Sequence, residues 1–136
     1  PTLTRQVEAA LDLADLKSGQ TLLELGCGDG KVVLAAAKRG VHVIGYELNP
    51  VLALIAWLRT RRHTRNVQII WGNFWHRKLP PADAVFVFLL PKYMDKLNQK
   101  IEADRHKSVK LVTFAFTIPK REPDAVKDGV YLYFYS

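Results

Sequence analysis

Leu22-Leu23-Glu24-Leu25-Gly26-Cys27-Gly28-Asp29-Gly30 is the stretch whose reading decides the fold. It opens as a short apolar run, the pattern of a buried strand, and closes that strand on an acid. Three glycines follow at alternate positions, and the Ala- and Val-rich run from Lys31 then reads as a helix. A turn this tight lets backbone approach a ligand where any Cβ would collide. A second acid, Glu47, ends another strand-like run in Gly45-Tyr46-Glu47-Leu48-Asn49-Pro50. Two acids at strand tips around a glycine turn point to a site for a nucleotide-like ligand. A bare strand-to-helix connection is the alternative, and the chain entropy lost by three alternating glycines argues against it.

The same alternation continues on both sides. A helix is expected over 4–16, with Val7, Ala10, Leu11, Ala14 and Leu16 near helical spacing and Thr4 as its N-cap. Strands are expected over 21–25, 41–46, 67–71, 83–90 and 109–116, the fourth almost wholly apolar and therefore central. Helices are expected over 31–39, 51–62 with Pro50 at the first position, and 92–103. Asp128-Gly129 is a hairpin signal before the aromatic strand 130–135. Strands alternating with helices predict an α/β fold. The sheet is doubly wound, Rossmann-like and mainly parallel, and closes with a C-terminal antiparallel hairpin. At 136 residues, with no linker or repeat, residues 1–136 are expected to form one domain.

Composition narrows the function. The chain is 49% hydrophobic and has no apolar run of the roughly 18 residues that a membrane span needs. One cysteine, Cys27, rules out an internal disulfide framework and fits a reducing compartment such as the cytoplasm. A net charge of +7 suits an acidic partner, although solubility alone accounts for it equally well. The arginine-rich cluster Arg59, Arg61, Arg62, His63, Arg65 reads as the solvated end of a helix, with a polyanion site as the alternative. The other histidines show no ligand spacing, so no metal site is expected.

Glycine spacing selects the ligand. The dinucleotide pattern G-x-G-x-x-G fails, because its third glycine would fall on Lys31 or Val33. The P-loop pattern fails for want of a Gly-Lys-Ser/Thr run. A carboxylate at Glu24 would repel a pyrophosphate. It suits an ammonium group or the sulfonium of S-adenosylmethionine. Glu47 suits both ribose hydroxyls. After the third strand, Asn73 has the groups to bond an adenine edge, and Phe74 or Trp75 to stack on its face; an ordinary turn with core aromatics is the alternative. Leu89-Leu90-Pro91 ends the fourth strand, where the transferring methyl group would face; a helix-starting proline is the plainer reading.

These motifs resemble the class I S-adenosylmethionine-dependent methyltransferases over nearly the whole chain. The runs Leu25–Val33, Gly45–Pro50 and Phe88–Pro91, with Pro1-Thr2 ahead of the first helix, narrow the resemblance. They are similar to a group of small protein-lysine methyltransferases that includes the enzyme modifying the c-ring protein of ATP synthase. The resemblance implies that Glu24, Gly26, Cys27, Gly28 and Gly30 hold the methionine part of the cofactor. Glu47, with Leu48 and Asn49, would hold the ribose, Asn73 and Phe74 the adenine, and Thr2 would lie nearby. Pro91 is implied on the acceptor side, as the one candidate catalytic position. Relatives often carry Asp at the place of Asn73. They also tend to carry an N-terminal hydrophobic segment, so membrane association is expected only through residues before Pro1. A lysine side chain of a protein is the expected substrate. An RNA or DNA methyltransferase is the alternative, favoured by charge and disfavoured by the lack of an Asp/Asn-Pro-Pro-aromatic run. A non-catalytic cofactor-binding module is the third reading.

Overall fold

A computed structural model of the chain describes residues 2–88 and 91–136. Seven strands form one sheet: β1 (Thr21–Leu25), β2 (His42–Glu47), β3 (Val67–Trp71), β4 (Ala84–Val87), β5 (Val109–Phe114), β6 (Ala125–Lys127) and β7 (Val130–Tyr135). Their order is β3-β2-β1-β4-β5-β7-β6. The first five run parallel, and β7 pairs antiparallel with both β5 and β6. The expected Rossmann-like sheet and its closing hairpin are therefore present. Asp128 and Gly129 both take positive φ, 52° and 77°, as a two-residue turn matched to strand twist requires.

Alternation along β1 sorts the core into two layers. Leu22 packs with α1 (Thr2–Ala14) and α2 (Lys31–Lys38), alongside Val7, Leu11, Val33, Ala36, Phe86 and Val112. Leu23 and Leu25 face the other layer, where α4 (Met94–Asp104) supplies Met94, Leu97 and Ile101 against Leu111, Tyr133 and Tyr135. All four residues of β4 are buried, which explains why its sequence has no polar alternation.

Several element ends differ from expectation. Thr4 is no cap, because α1 already begins at Thr2. The helix expected over 51–62 is α3 (Pro50–Arg59), followed by a 3-10 turn at Arg61–His63. The helix expected from Lys92 starts at Met94, after a 3-10 turn at Pro91–Tyr93. Met94 joins Leu97 and Ile101 in the core, and Tyr93, one residue earlier, lines a pocket. Leu89 and Leu90 lie outside the described residues.

Candidate functional site

β1, β2 and β3 step outward one way from the centre of the sheet, and β4 and β5 the other way. The strand order reverses between β1 and β4, and the crevice above that point is where open α/β sheets bind ligands. The loop Gly26–Gly30 sits there. Gly26 and Cys27 both donate their N–H to the Tyr46 carbonyl at 2.8 Å, which ties the loop to the end of β2. Gly28 (φ +56°) has nothing within 4 Å of where a Cβ would be, so the loop is open at that point. Gly30 (φ +89°) answers a different demand: a Cβ there would lie 2.9 Å from Ala56 Cα on α3. The sequence motif thus combines an opening for a ligand with a helix contact.

Glu47 shapes this loop directly. One carboxylate oxygen accepts from Gly28 N at 2.8 Å, the other from Asn49 N at 2.9 Å. Asn49 in turn caps α3, its side-chain oxygen accepting from Val51 N and Leu52 N. Arg59, read from sequence as part of a solvated cluster, reaches back instead. Its Nε donates to the Asp29 carbonyl at 2.9 Å, and it pairs with the Asp29 carboxylate at 3.5 Å.

Glu24 is the opposite case. It is buried, and its Oε1 has no hydrogen-bond partner. Burial, then the nearby negative charges of Asp29 and Glu47, push its carboxyl well above the ordinary value of 4.5. A buried acceptor without a donor is costly, and such a group at a cleft singles out Glu24 as a candidate binding residue. Cys27 lies beside it. Burial, then the charges of Glu24 and Glu47, push its thiol up to about 12, so it is packing rather than a nucleophile.

Two pockets flank the loop. One, of about 150 Å³, is lined by Glu24, Cys27, Asp29, Val7, Phe86 and Phe88, with Phe114 completing the wall. Phe88 and Phe114 stack with centroids 4.8 Å apart. Ala115, the residue after Phe114, has φ +71°, a strained setting for a residue with a Cβ just past the end of β5. The other pocket, of about 300 Å³, is lined by Gly26, Glu47, Leu48, Asn73, Phe74 and Trp75, together with Tyr46, Gly72, Tyr93 and Lys96. Asn73 accepts from Trp75 N at 2.9 Å through its side-chain oxygen, so its amide NH₂ is what it offers a ligand. Phe74 is buried and packs against Trp75 at 4.5 Å. Lys96 Nζ lies 4.5 Å above the Trp75 ring.

The structure therefore brings Glu24, Gly26, Cys27, Gly28, Glu47, Leu48, Asn73 and Phe74 to one rim of the sheet. Gly30 and Asn49 stand behind them, holding α3. Pro91 is exposed and lines neither pocket; the turn it opens carries Tyr93 to the larger one. The role expected of Thr2 concerns a side chain outside the described residues. Reading by motif missed Asp29, Phe86, Phe88, Phe114, Tyr93 and Lys96. Only the run after β4 hinted at Phe88, and nothing local announces that β5 supplies Phe114. Two roomier clefts, each about 440 Å³, open at the opposite rim around Asp83 and around His42. They lie at the amino ends of the strands, away from the switch point, and neither holds the orphaned carboxylate.

A glycine cradle between two strand-end acids, on a sheet of this order, defines the class of Rossmann-like methyltransferases. A family model described as the ANTKMT methyltransferase domain matches residues 24–125, and the chain belongs to that family. A mouse adenine nucleotide translocase lysine N-methyltransferase is 34% identical over 125 residues, covering 90% of this chain and 54% of its own length. A human lysine N-methyltransferase named for the C protein of ATP synthase is 30% identical over 128 residues, covering 93% of this chain and 54% of its own length. This chain spans about half the length of most of the curated relatives it matches. A protein-lysine N-methyltransferase of Saccharolobus islandicus is nearer in size, 29% identical over 98% of this chain and 90% of that one. Among solved structures, an RNA methyltransferase from Salinibacter ruber in complex with S-adenosyl-L-homocysteine superposes with a TM-score of 0.87. It is 26% identical and covers 99% of this chain and 92% of its own.

Proposed function

We propose that residues 1–136 form one S-adenosylmethionine-dependent protein-lysine N-methyltransferase domain, working in a reducing compartment. The observation that carries the cofactor is Glu24: a buried, unpartnered carboxylate beside an open glycine loop fits an amino-acid ammonium. When bound, S-adenosylmethionine supplies a methyl group already activated by its sulfonium. Every other part is this chain's own. The Gly26–Gly30 loop, with Cys27 packed beneath it, gives backbone that a ligand can approach. Glu47 and Leu48 flank the ribose side, Glu47 through the lone pairs that Gly28 and Asn49 leave free. Asn73 donates its amide to the adenine edge, and Phe74 with Trp75 forms the apolar bed.

We assign the acceptor side to Phe88 and Phe114 rather than to Pro91. A lysine ammonium has no lone pair and must lose a proton before it attacks. With Glu24 engaged by the cofactor's ammonium and Asp29 paired with Lys31 and Arg59, the apolar wall of Val7, Phe86, Phe88 and Phe114 strips water from an entering lysine, and burial beside a cationic cofactor favours its neutral form. The proton passes to solvent water before the amine is enclosed, so no side chain need act as a general base, and positioning the neutral amine in line supplies most of the acceleration. Curated relatives named as protein-lysine methyltransferases support the substrate class.

One finding favours RNA as the acceptor: the Salinibacter ruber structure covers almost the whole chain. Leu89-Leu90-Pro91-Lys92-Tyr93 lacks the polar clamp for a base amino group, which is why lysine is the first reading. Incubation of cell lysate with the purified chain and methyl-labelled cofactor separates the two. Label recovered as methyl-lysine in protein is the expected result, whereas label confined to RNA would overturn it. Failure to bind S-adenosylmethionine in calorimetry would remove both readings together.

A further inference from the structure

The helix α3 is apolar on both sides. Its inner side, through Ala53 and Ala56, packs on α2, β2 and β3. Its outer side carries Val51, Leu54, Ile55 and Leu58 at i, i+3, i+4 and i+7, with exposures of 64%, 56%, 38% and 43%. Trp57, 52% exposed, stands on the flank. Leu48 and Trp71, each 65% exposed, extend the patch beyond the helix start, where Trp71 Nε1 donates to the Leu48 carbonyl at 3.0 Å. A helix on a protein surface ordinarily turns charge outward, and scattered apolar residues need no explanation. Seven large apolar side chains on one helix face and its approach are a different matter.

Charge decides what this face fits. At the C-terminal end of α3, Arg61, Arg62 and Arg65 are exposed and form no ion pair among the described residues. Asp29, the acid that reaches toward this helix, is already paired with Arg59 and Lys31. A second copy of the chain would bring the same unpaired arginines and the same net charge of +7. A surface of anionic headgroups over an apolar layer answers both halves of the patch. Tryptophans at the rim and arginines at one end are what an element lying in such an interface carries. At ten residues α3 lies on a bilayer rather than crossing it, and among the described residues no helix is long and apolar enough to cross.

We propose that the outer face of α3 docks on an anionic lipid surface. Val51, Leu54, Ile55, Trp57 and Leu58 enter the boundary between headgroups and acyl chains, and Arg61, Arg62 and Arg65 meet the phosphates. Leu48 belongs both to this face and to the larger pocket, so docking sets that pocket beside the bilayer. The inference stands without the methyltransferase reading, since it concerns residues outside the glycine loop and both acids.

Co-sedimentation of the whole chain with phosphatidylcholine vesicles, with and without phosphatidylglycerol, tests it at low and high salt. The chain is expected to pellet with the anionic vesicles, with a blue shift of tryptophan emission, and to be released by salt. Leu54→Asp with Leu58→Asp is expected to weaken partition at least about tenfold. Arg61→Ala, Arg62→Ala and Arg65→Ala together are expected to weaken it roughly a hundredfold, about fivefold for each arginine. All five side chains are on the surface, so thermal melts should match the parent. Absence of binding by a folded parent would overturn the proposal. So would binding unchanged in both variants, or a parent dimer in light scattering that the two aspartates dissolve.

Discussion

Glu24 and Glu47 end neighbouring parallel strands on the same rim of one sheet, and their surroundings are opposed. Glu47 has both oxygens engaged by backbone N–H groups, from Gly28 and from Asn49. Glu24 is buried with an oxygen that nothing satisfies. The first carboxylate is structural before any ligand arrives, holding the glycine loop against α3. The second is a deficit in the free protein that a cationic group would relieve. Identical residues thus do different work because one meets a loop folded over it and the other an apolar pocket.

The sharpest way to break this contrast is Glu47→Ala. It removes the acceptor for two N–H groups and the partner proposed for the ribose. We expect S-adenosylhomocysteine binding to weaken roughly a hundredfold and stability to fall by about 1–3 kcal/mol, read by calorimetry and denaturant titration. Binding as tight as the parent's would refute the ribose role. Gly30→Ala tests the loop from its other side. A Cβ against Ala56 at φ +89° should cost about 2–4 kcal/mol, visible as a lower denaturation midpoint. Gly28→Ala makes no such clash and should lose affinity more than stability.

Glu24→Gln should move stability and binding in opposite directions. The raised carboxyl of Glu24 takes up a proton on folding at pH values between its ordinary 4.5 and its higher folded value. Stability of the parent therefore falls as pH rises through that window and stays low above it. Gln lacks this slope, so the variant should be more stable by about 1–2 kcal/mol near neutral pH, the gain vanishing below about pH 4. Affinity for S-adenosylhomocysteine should drop about tenfold. In the parent, binding at a pH within that window should release a proton, so the calorimetric enthalpy measured there should depend on the buffer's ionisation heat. A buffer-independent enthalpy would show that Glu24 does not meet the ligand's ammonium. The smallest effect is expected from Ala115→Gly, which relieves a positive φ beside the Phe88–Phe114 stack. A gain of about 0.5–1 kcal/mol in thermal melts is expected, with weaker turnover of a lysine substrate if that stack forms the acceptor wall.

How much of the site was legible depends on range. Glycine spacing and the acid before it are local chemistry, and they located the Gly26–Gly30 loop and separated Glu24 from a phosphate-binding site. Asn49 and Pro50 were legible as a motif, but their capping of α3 needed the backbone N–H groups in place. Phe114 joins the small pocket only because β4 and β5 pair, across a sequence gap that no short pattern spans. The basic run misled in part: Arg59 points at the glycine loop, and only the residues after it form a free basic surface.

By itself the sequence determined the alternation of strands and helices, the central place of β4, the closing hairpin and the acid–glycine signature. Each is set by periodicity or by backbone freedom within a few residues. Only the tertiary structure decided that Glu24 has an oxygen without a partner while each oxygen of Glu47 accepts one backbone N–H. It also decided that Met94 turns into the core while Tyr93 lines the pocket, and that the apolar outer side of α3 stays uncovered. Those outcomes follow from which strand neighbours which and from what is left over once the sheet faces are filled, and neither is written in a local run of residues.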